Sequence, residues 1–273
     1  MWKLFIPSCE RRIAVTINRD SLLPYLIYNQ PYVYSENISL YPVTMKDIVL
    51  FQAVSPSITV RKNSTFRDKK IIKMPYLDFL LYSFSNEALE EASGIPNLSN
   101  YYAYALQLLQ LCCRDGEVKL NHQTGQIAIG EEIITPQIFD DLRRIIILQN
   151  DMDFDIDEFL NYDTEQRLLK AQKASQKNDR TANIEDYIDS LVIAMNITEE
   201  SVMKMTIRKF YRYIRRYQLY ENYRIAKTGE CSGMVSFKEP IQHWMTSLDE
   251  EDRYQDVKAD ENSIKGKIND ANT

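Results

Sequence analysis

Glycine and histidine are nearly absent from this chain, at 7 and 2 of 273 residues. So little glycine disfavours loops that cradle nucleotide phosphates, and it disfavours turn-dense all-β folds. None of the strings G-x-x-x-x-G-K-S/T, G-x-G-x-x-G, G-x-S-x-G or H-E-x-x-H occurs. His122 and His243 stand alone, without cysteines or carboxylates at ligand spacing, and read as ordinary polar residues; no metal or cofactor is expected. The four cysteines (Cys9, Cys112, Cys113, Cys231) lack metal-finger spacing and read as free thiols of a reducing compartment. No apolar run approaches membrane length, and Met1 to Arg12 is too short an apolar stretch for a secretory signal, so no membrane association is expected. The paired acids Glu131-Glu132 and Asp140-Asp141 point apart as neighbours and do not specify acid/base work. With no catalytic residues identifiable, an enzyme is not expected.

What the chain does hold is a substantial apolar complement, 44% of residues, and 18 tyrosines. The first supports a real core. The second suits surfaces where a ring is covered while its hydroxyl stays wet. A net charge of −6 argues against non-specific nucleic-acid binding by the protein as a unit.

Periodicity indicates a mainly helical α+β protein, with one small β-hairpin in a first unit and a long helical hairpin after it. Leu4 to Ile6 and Ile13 to Ile17 are β-like. Pro24 and Pro31 are expected to interrupt any helix across 21–34. Thr44 and Asp47 form a candidate capping box for a helix ending near Ala53, and Arg61 to Lys70 reads as a basic loop. Pro75 opens a helix with Tyr76, Phe79, Leu80 and Phe84 on one side, and Tyr101 to Cys113 forms another. The period then falls to 2 at Val118, Leu120, Ile127 and Ile129, which predicts the hairpin. Thr135 and Pro136 cap and start a helix to about Asn150.

Asp151 to Asp157 alternates acids like a calcium loop. However, its sixth place is Ile156 where Gly is needed, and its twelfth is Tyr162 where Glu is needed, so it reads as a solvated acidic loop. The polar stretch 171–183 is the expected linker between a unit at 1–170 and a helical hairpin with docking segment at 184–248; 249–273 reads as a disordered charged tail.

The dominant element is Thr198 to Lys227, thirty residues without Gly or Pro, carrying Met203, Ile207, Phe210, Ile214 and Tyr217 at helical spacing. Thr198 caps it, Gly229 is the expected left-handed stop, and the rod would span about 45 Å. Within 204–227 eight cations face only Glu221, with five tyrosines interleaved. The favoured reading is a surface to be covered by another polypeptide. Its candidate partner-binding residues are Arg208, Tyr211, Arg212, Tyr213, Arg215, Tyr220 and Tyr223, with Phe237, Ile241 and Trp244 from the docking segment. The alternative is a nucleic-acid groove, with cations for phosphates and rings for bases.

Three segments carry a family resemblance: Leu40-Tyr41-Pro42-Val43-Thr44-Met45-Lys46-Asp47, Ile71-Ile72-Lys73-Met74-Pro75-Tyr76-Leu77-Asp78-Phe79-Leu80 and Ile145-Ile146-Ile147-Leu148-Gln149-Asn150. Together they resemble proteins of tail and baseplate gene clusters of contractile-tailed phages, some of them regarded as baseplate-hub or tail assembly chaperones. The resemblance implies a non-enzymatic assembly or structural role, with other tail or baseplate proteins as partners or self-association. It also implies a location in the host cytoplasm or the virion. It brings no catalytic residues.

Overall fold

The structure is a computed structural model that describes residues 17–86, 88–121, 123–157, 162–175, 182–233, 235–237 and 240–248. The β-like runs before Ile17, His122, Cys9 and the charged tail 249–273 lie outside the described residues. The architecture is mainly helical α+β, 60% helix with two small antiparallel sheets.

Helix α1 (Arg19–Tyr28) starts at a capping box. The Asn18 side chain accepts from the Ser21 amide at 2.8 Å, and the Ser21 hydroxyl accepts from the Asn18 amide at 3.1 Å. It ends at Tyr28, so no single helix spans 21–34, as expected, but it runs through Pro24 without a break. Pro24 and Asp20, four residues earlier, are both exposed, so the one forfeited bond leaves no buried orphan. Asn29, at φ +54, ends the helix. Strands β1 (Tyr32–Val33) and β2 (Ser39–Leu40) form a two-residue antiparallel pair.

Next come a 3₁₀ turn at Met45–Asp47 and α2 (Ile48–Val54). The expected capping box does not form. The Thr44 hydroxyl instead lies 3.3 Å from the Asp47 carboxylate, which is one methylene shorter than the usual Glu, and the Thr44 backbone pairs antiparallel with Thr206. Short helices α3 (Lys62–Thr65) and α4 (Lys69–Lys73) occupy the stretch read as a loop. In α5 (Tyr76–Phe84) the buried face is Tyr76, Leu77, Phe79, Leu80 and Ser83, while Phe84 is exposed rather than inward.

Helix α6 (Ala88–Ser93) leads to α7 (Tyr101–Cys112), which buries Tyr102, Ala105, Leu108, Leu109 and Cys112. The predicted hairpin is β3 (Val118–Asn121) with β4 (Gln126–Ile129); β5 (Glu132–Ile133) adds a third antiparallel strand. Gly116 is needed there, because a Cβ would lie 2.7 Å from the Ile129 side chain. Helix α8 (Pro136–Gln149) starts as expected, with the Thr135 hydroxyl accepting from the Ile138 amide at 3.2 Å.

Two of the three resemblance segments interlock in the interior. The Val43 amide donates to Asn150 Oδ1 at 2.9 Å, and Gln149 Nε2 donates to the Leu40 carbonyl at 3.0 Å. Helix α9 (Tyr162–Ser175) continues four residues past Ala171 into the stretch read as a linker. Helix α10 (Ile184–Met195) is capped by Asn183, followed by α11 (Glu199–Met203) and α12 (Ile207–Cys231). A single apolar core takes in Leu22, Phe79, Leu108, Ile127 and Phe139 together with Leu191, Val202, Ile207, Phe210 and Ile214 of the carboxyl-terminal helices.

Candidate interaction surface on the carboxyl-terminal helix

The expected thirty-residue rod is two helices. Thr198 caps the first, its side chain accepting from the Ser201 amide. The run breaks at Lys204, Met205 and Thr206, and Thr206 caps α12 by accepting from the Lys209 amide at 3.3 Å. The cause is tertiary. The Met45 amide donates to the Met205 carbonyl and the Ile207 amide to the Val43 carbonyl, both at 2.9 Å, so the backbone here is extended against the first unit. The basic helix therefore begins at Ile207, not 204. It also passes Gly229 and ends at Cys231, with Gly233 (φ +70) as the left-handed residue.

Burial divides α12 in two. Ile207, Arg208, Phe210 and Ile214 are buried, and no residue from Arg215 to Cys231 is. Tyr217, expected on the inner stripe, is 36% exposed. A helix of 25 residues is about 37 Å long, so about 25 Å of it runs beyond the core.

The segment after α12 folds back along this projecting part. Arg216 Nη1 donates to the carbonyls of Trp244 and Thr246. Tyr220 meets Trp244 edge-on at 5.4 Å between ring centroids, and Tyr223 meets His243 at 5.1 Å. Val235 lies against Gly229.

The ten residues singled out from sequence thus fall into distinct places. Arg208 is inside, donating to the Leu26 carbonyl at 3.3 Å. Tyr211 is half-buried beside Phe210, and burial pushes its hydroxyl pKa up. Arg215 pairs with Asp151, which also lies 3.9 Å from Arg19. Asp151 (φ +54) therefore belongs to an ion-pair cluster, while Asp153, Asp155 and Asp157 are exposed as expected of a solvated acidic loop, Asp157 pairing there with two guanidinium nitrogens of Arg144. Tyr220 meets Trp244 edge-on yet stays exposed, Tyr223 meets His243, Ile241 is half-buried, and Phe237 is exposed. Arg212 is half-buried and Tyr213 exposed.

Tyr213, Tyr217 and Tyr220 are spaced i, i+4, i+7, so they form one exposed aromatic stripe. Sequence reasoning placed Tyr217 inward, and it passed over Arg216 as a site residue. The stripe's own period was the available signal for Tyr217. Nothing in the sequence marks Arg216 apart from its neighbours.

Most cations of α12 have partners within the chain. Besides Arg208, Arg215 and Arg216, Arg224 bonds Glu221 at 2.7 Å and Lys227 bonds Glu230 at 2.8 Å. Among the described residues no group of three or more His, Cys, Asp or Glu is placed to hold a metal ion, and no helix is long and apolar enough to cross a membrane.

Residues 173–249 match a family model described as the YomV second domain. The family is phage-associated, after YomV of the SPbeta prophage, and the match relates this part of the chain to phage proteins. The matched stretch is less than a third of the chain and takes in α10, α11, α12 and the returning segment. The three segments that resemble tail and baseplate proteins all lie before it. The chain matches none of the curated proteins and none of the solved structures with which it was compared.

Proposed function

We propose that this is a non-enzymatic phage protein that acts by protein–protein binding, as an assembly chaperone or a structural component of a tail or baseplate. The observation that carries the reading is the projecting half of α12. It lies beyond the core, carries Tyr217 and Tyr220 of the aromatic stripe that begins at Tyr213, and falls within the phage-associated matched stretch. Tyrosine on a rigid helix offers large contact area at low conformational cost, which suits the centre of an interface. Ile225, Phe237 and Met245, on α12 and the returning segment, are exposed apolar side chains as well. Host cytoplasm or virion is the location this reading implies.

The nucleic-acid alternative finds little support in α12, because five of its cations are engaged by carbonyls or carboxylates of the same chain. The test is affinity capture from infected or expressing cells with mass-spectrometric identification, comparing wild type with Tyr213→Asp/Tyr217→Asp. Tail or baseplate subunits recovered by the wild type and lost from the variant support the reading. Recovery of mainly RNA or DNA overturns it.

A further inference from the structure

A second feature lies at the opposite, anchored end of α12. A cleft of about 490 Å³ opens where α1, the Tyr41–Thr44 segment and the α11–α12 junction meet. Tyr41, Arg114, Lys204, Thr206, Lys209 and Tyr213 are on its walls, and no carboxylate is among its lining residues. Lys204 is held by Glu200 at 2.7 Å on α11, and Tyr41 donates to Asp115, so two acids stand near, outside the lining. Lys209 differs from the other cations of α12. Desolvation and the neighbouring guanidinium groups of Arg208 and Arg212 push its ammonium pKa down, so its charge is opposed rather than compensated. Arg114 lies over the Tyr41 ring at 5.7 Å. The α12 amino-terminal end adds a field of the same sign.

We propose that this cleft binds a nucleotide-sized ligand bearing a phosphate, with Lys209, Lys204 and Arg114 on the phosphate and Tyr213 or Tyr41 against the ring. Three cations line the cleft and no acid does, although Lys204 is shared with Glu200; such a lining fits an anion, whose binding would relieve the repulsion around Lys209. The volume lies within the usual range of small-ligand sites, roughly 300–1,000 Å³. Two flanking tyrosines supply faces on which a planar base can stack. The ligand can be a free nucleotide or the phosphorylated end of an oligonucleotide, since both present the same group. The site shares Tyr213 with the exposed stripe, but it does not rest on the protein-binding reading.

Calorimetric titration tests it, using inorganic phosphate, a nucleoside monophosphate and a short oligonucleotide with and without its 5′ phosphate. Wild type is compared with Lys209→Gln, Arg114→Gln and Tyr213→Ala, and with Arg224→Gln as a control outside the cleft. The expected result is nucleotide binding weakened at least about tenfold by either cleft cation variant and unchanged in Arg224→Gln. A tenfold change corresponds to about 1.4 kcal/mol. Tyr213→Ala should weaken the nucleotide but not inorganic phosphate. Tighter binding of the monophosphate than of the oligonucleotide assigns a free nucleotide; oligonucleotide binding lost with the 5′ phosphate assigns a strand end. Absence of nucleotide and oligonucleotide binding at millimolar concentration overturns the proposal, as does equal loss in the Arg224 control. Circular dichroism confirms that each variant is folded, and Lys209→Arg, which keeps the charge, should retain binding.

Discussion

Replacing Phe210 by Ala should separate the anchored half of α12 from its projecting half in energetic terms. Phe210 is fully buried, in one core with Leu22, Phe79, Leu108 and Phe139 of the amino-terminal part. Removing such a ring forfeits its transfer free energy and leaves a cavity, together about 3–5 kcal/mol. For a chain of this size each kcal/mol lowers the midpoint by roughly 2–4 °C, so the expected fall is about 6–20 °C. Tyr217→Ala, two stripe positions farther and outside the core, should cost under about 1 kcal/mol. The assay is thermal and urea unfolding followed by far-ultraviolet circular dichroism for both variants. The amino-terminal helices should lose stability together with α12, since the Met45 amide donates to the Met205 carbonyl and the Val43 carbonyl accepts from the Ile207 amide. A shift for Phe210→Ala no larger than for Tyr217→Ala would refute the claim that α12 is rooted in the common core.

Three further outcomes follow from individual contacts. Arg144 holds the Asp157 carboxyl below the ordinary carboxylate range. Its stabilisation is present above the unfolded-state pKa, near 3.9, and lost as pH falls through the folded value, so Asp157→Asn should be less stable than wild type near neutrality, and the difference should shrink steadily as acid unfolding is carried below the ordinary carboxylate range. Burial pushes the Cys113 thiol up to about 12 and the Cys112 thiol higher, whereas Cys231 is exposed. In a Cys9→Ser background a thiol reagent should therefore modify Cys231 alone until denaturant is added. Arg216→Ala removes the donor to the Trp244 and Thr246 carbonyls. Limited proteolysis should then cut sooner within 241–248, with global stability changed by under about 1 kcal/mol.

Elements whose causes are local could be read in the sequence. The helix from Pro136 shows its cap, its first-turn proline and its period within sixteen residues, and the β3–β4 hairpin shows its change of period. The break between α11 and α12 was not legible. It is imposed by pairing with Val43 and Met45, some 160 residues away, and a run without Gly or Pro gives no hint of it. Thr206 is a cap-competent residue, but a Lys rather than Glu follows three places later, so the usual signature was missing.

The same non-locality governs the candidate surface. Arg208 and Arg212 are alike in sequence, yet one lies in the core near Leu26 and the other does not. The pairing of Arg215 with Asp151 joins a stretch read as a partner-binding surface to one read as a solvated loop. The Tyr41–Arg114–Lys209 cleft likewise draws on three distant segments, none of them carrying a ligand motif.

The account rests on the projecting half of α12 being a surface that another protein covers. Amide hydrogen exchange across 215–231 measures this directly, with the chain alone and in the complex recovered from cells. Rapid exchange in the free chain and strong protection in the complex, centred on Tyr217 and Tyr220, is the predicted result. Equal exchange in both states, with a partner bound elsewhere, would contradict it.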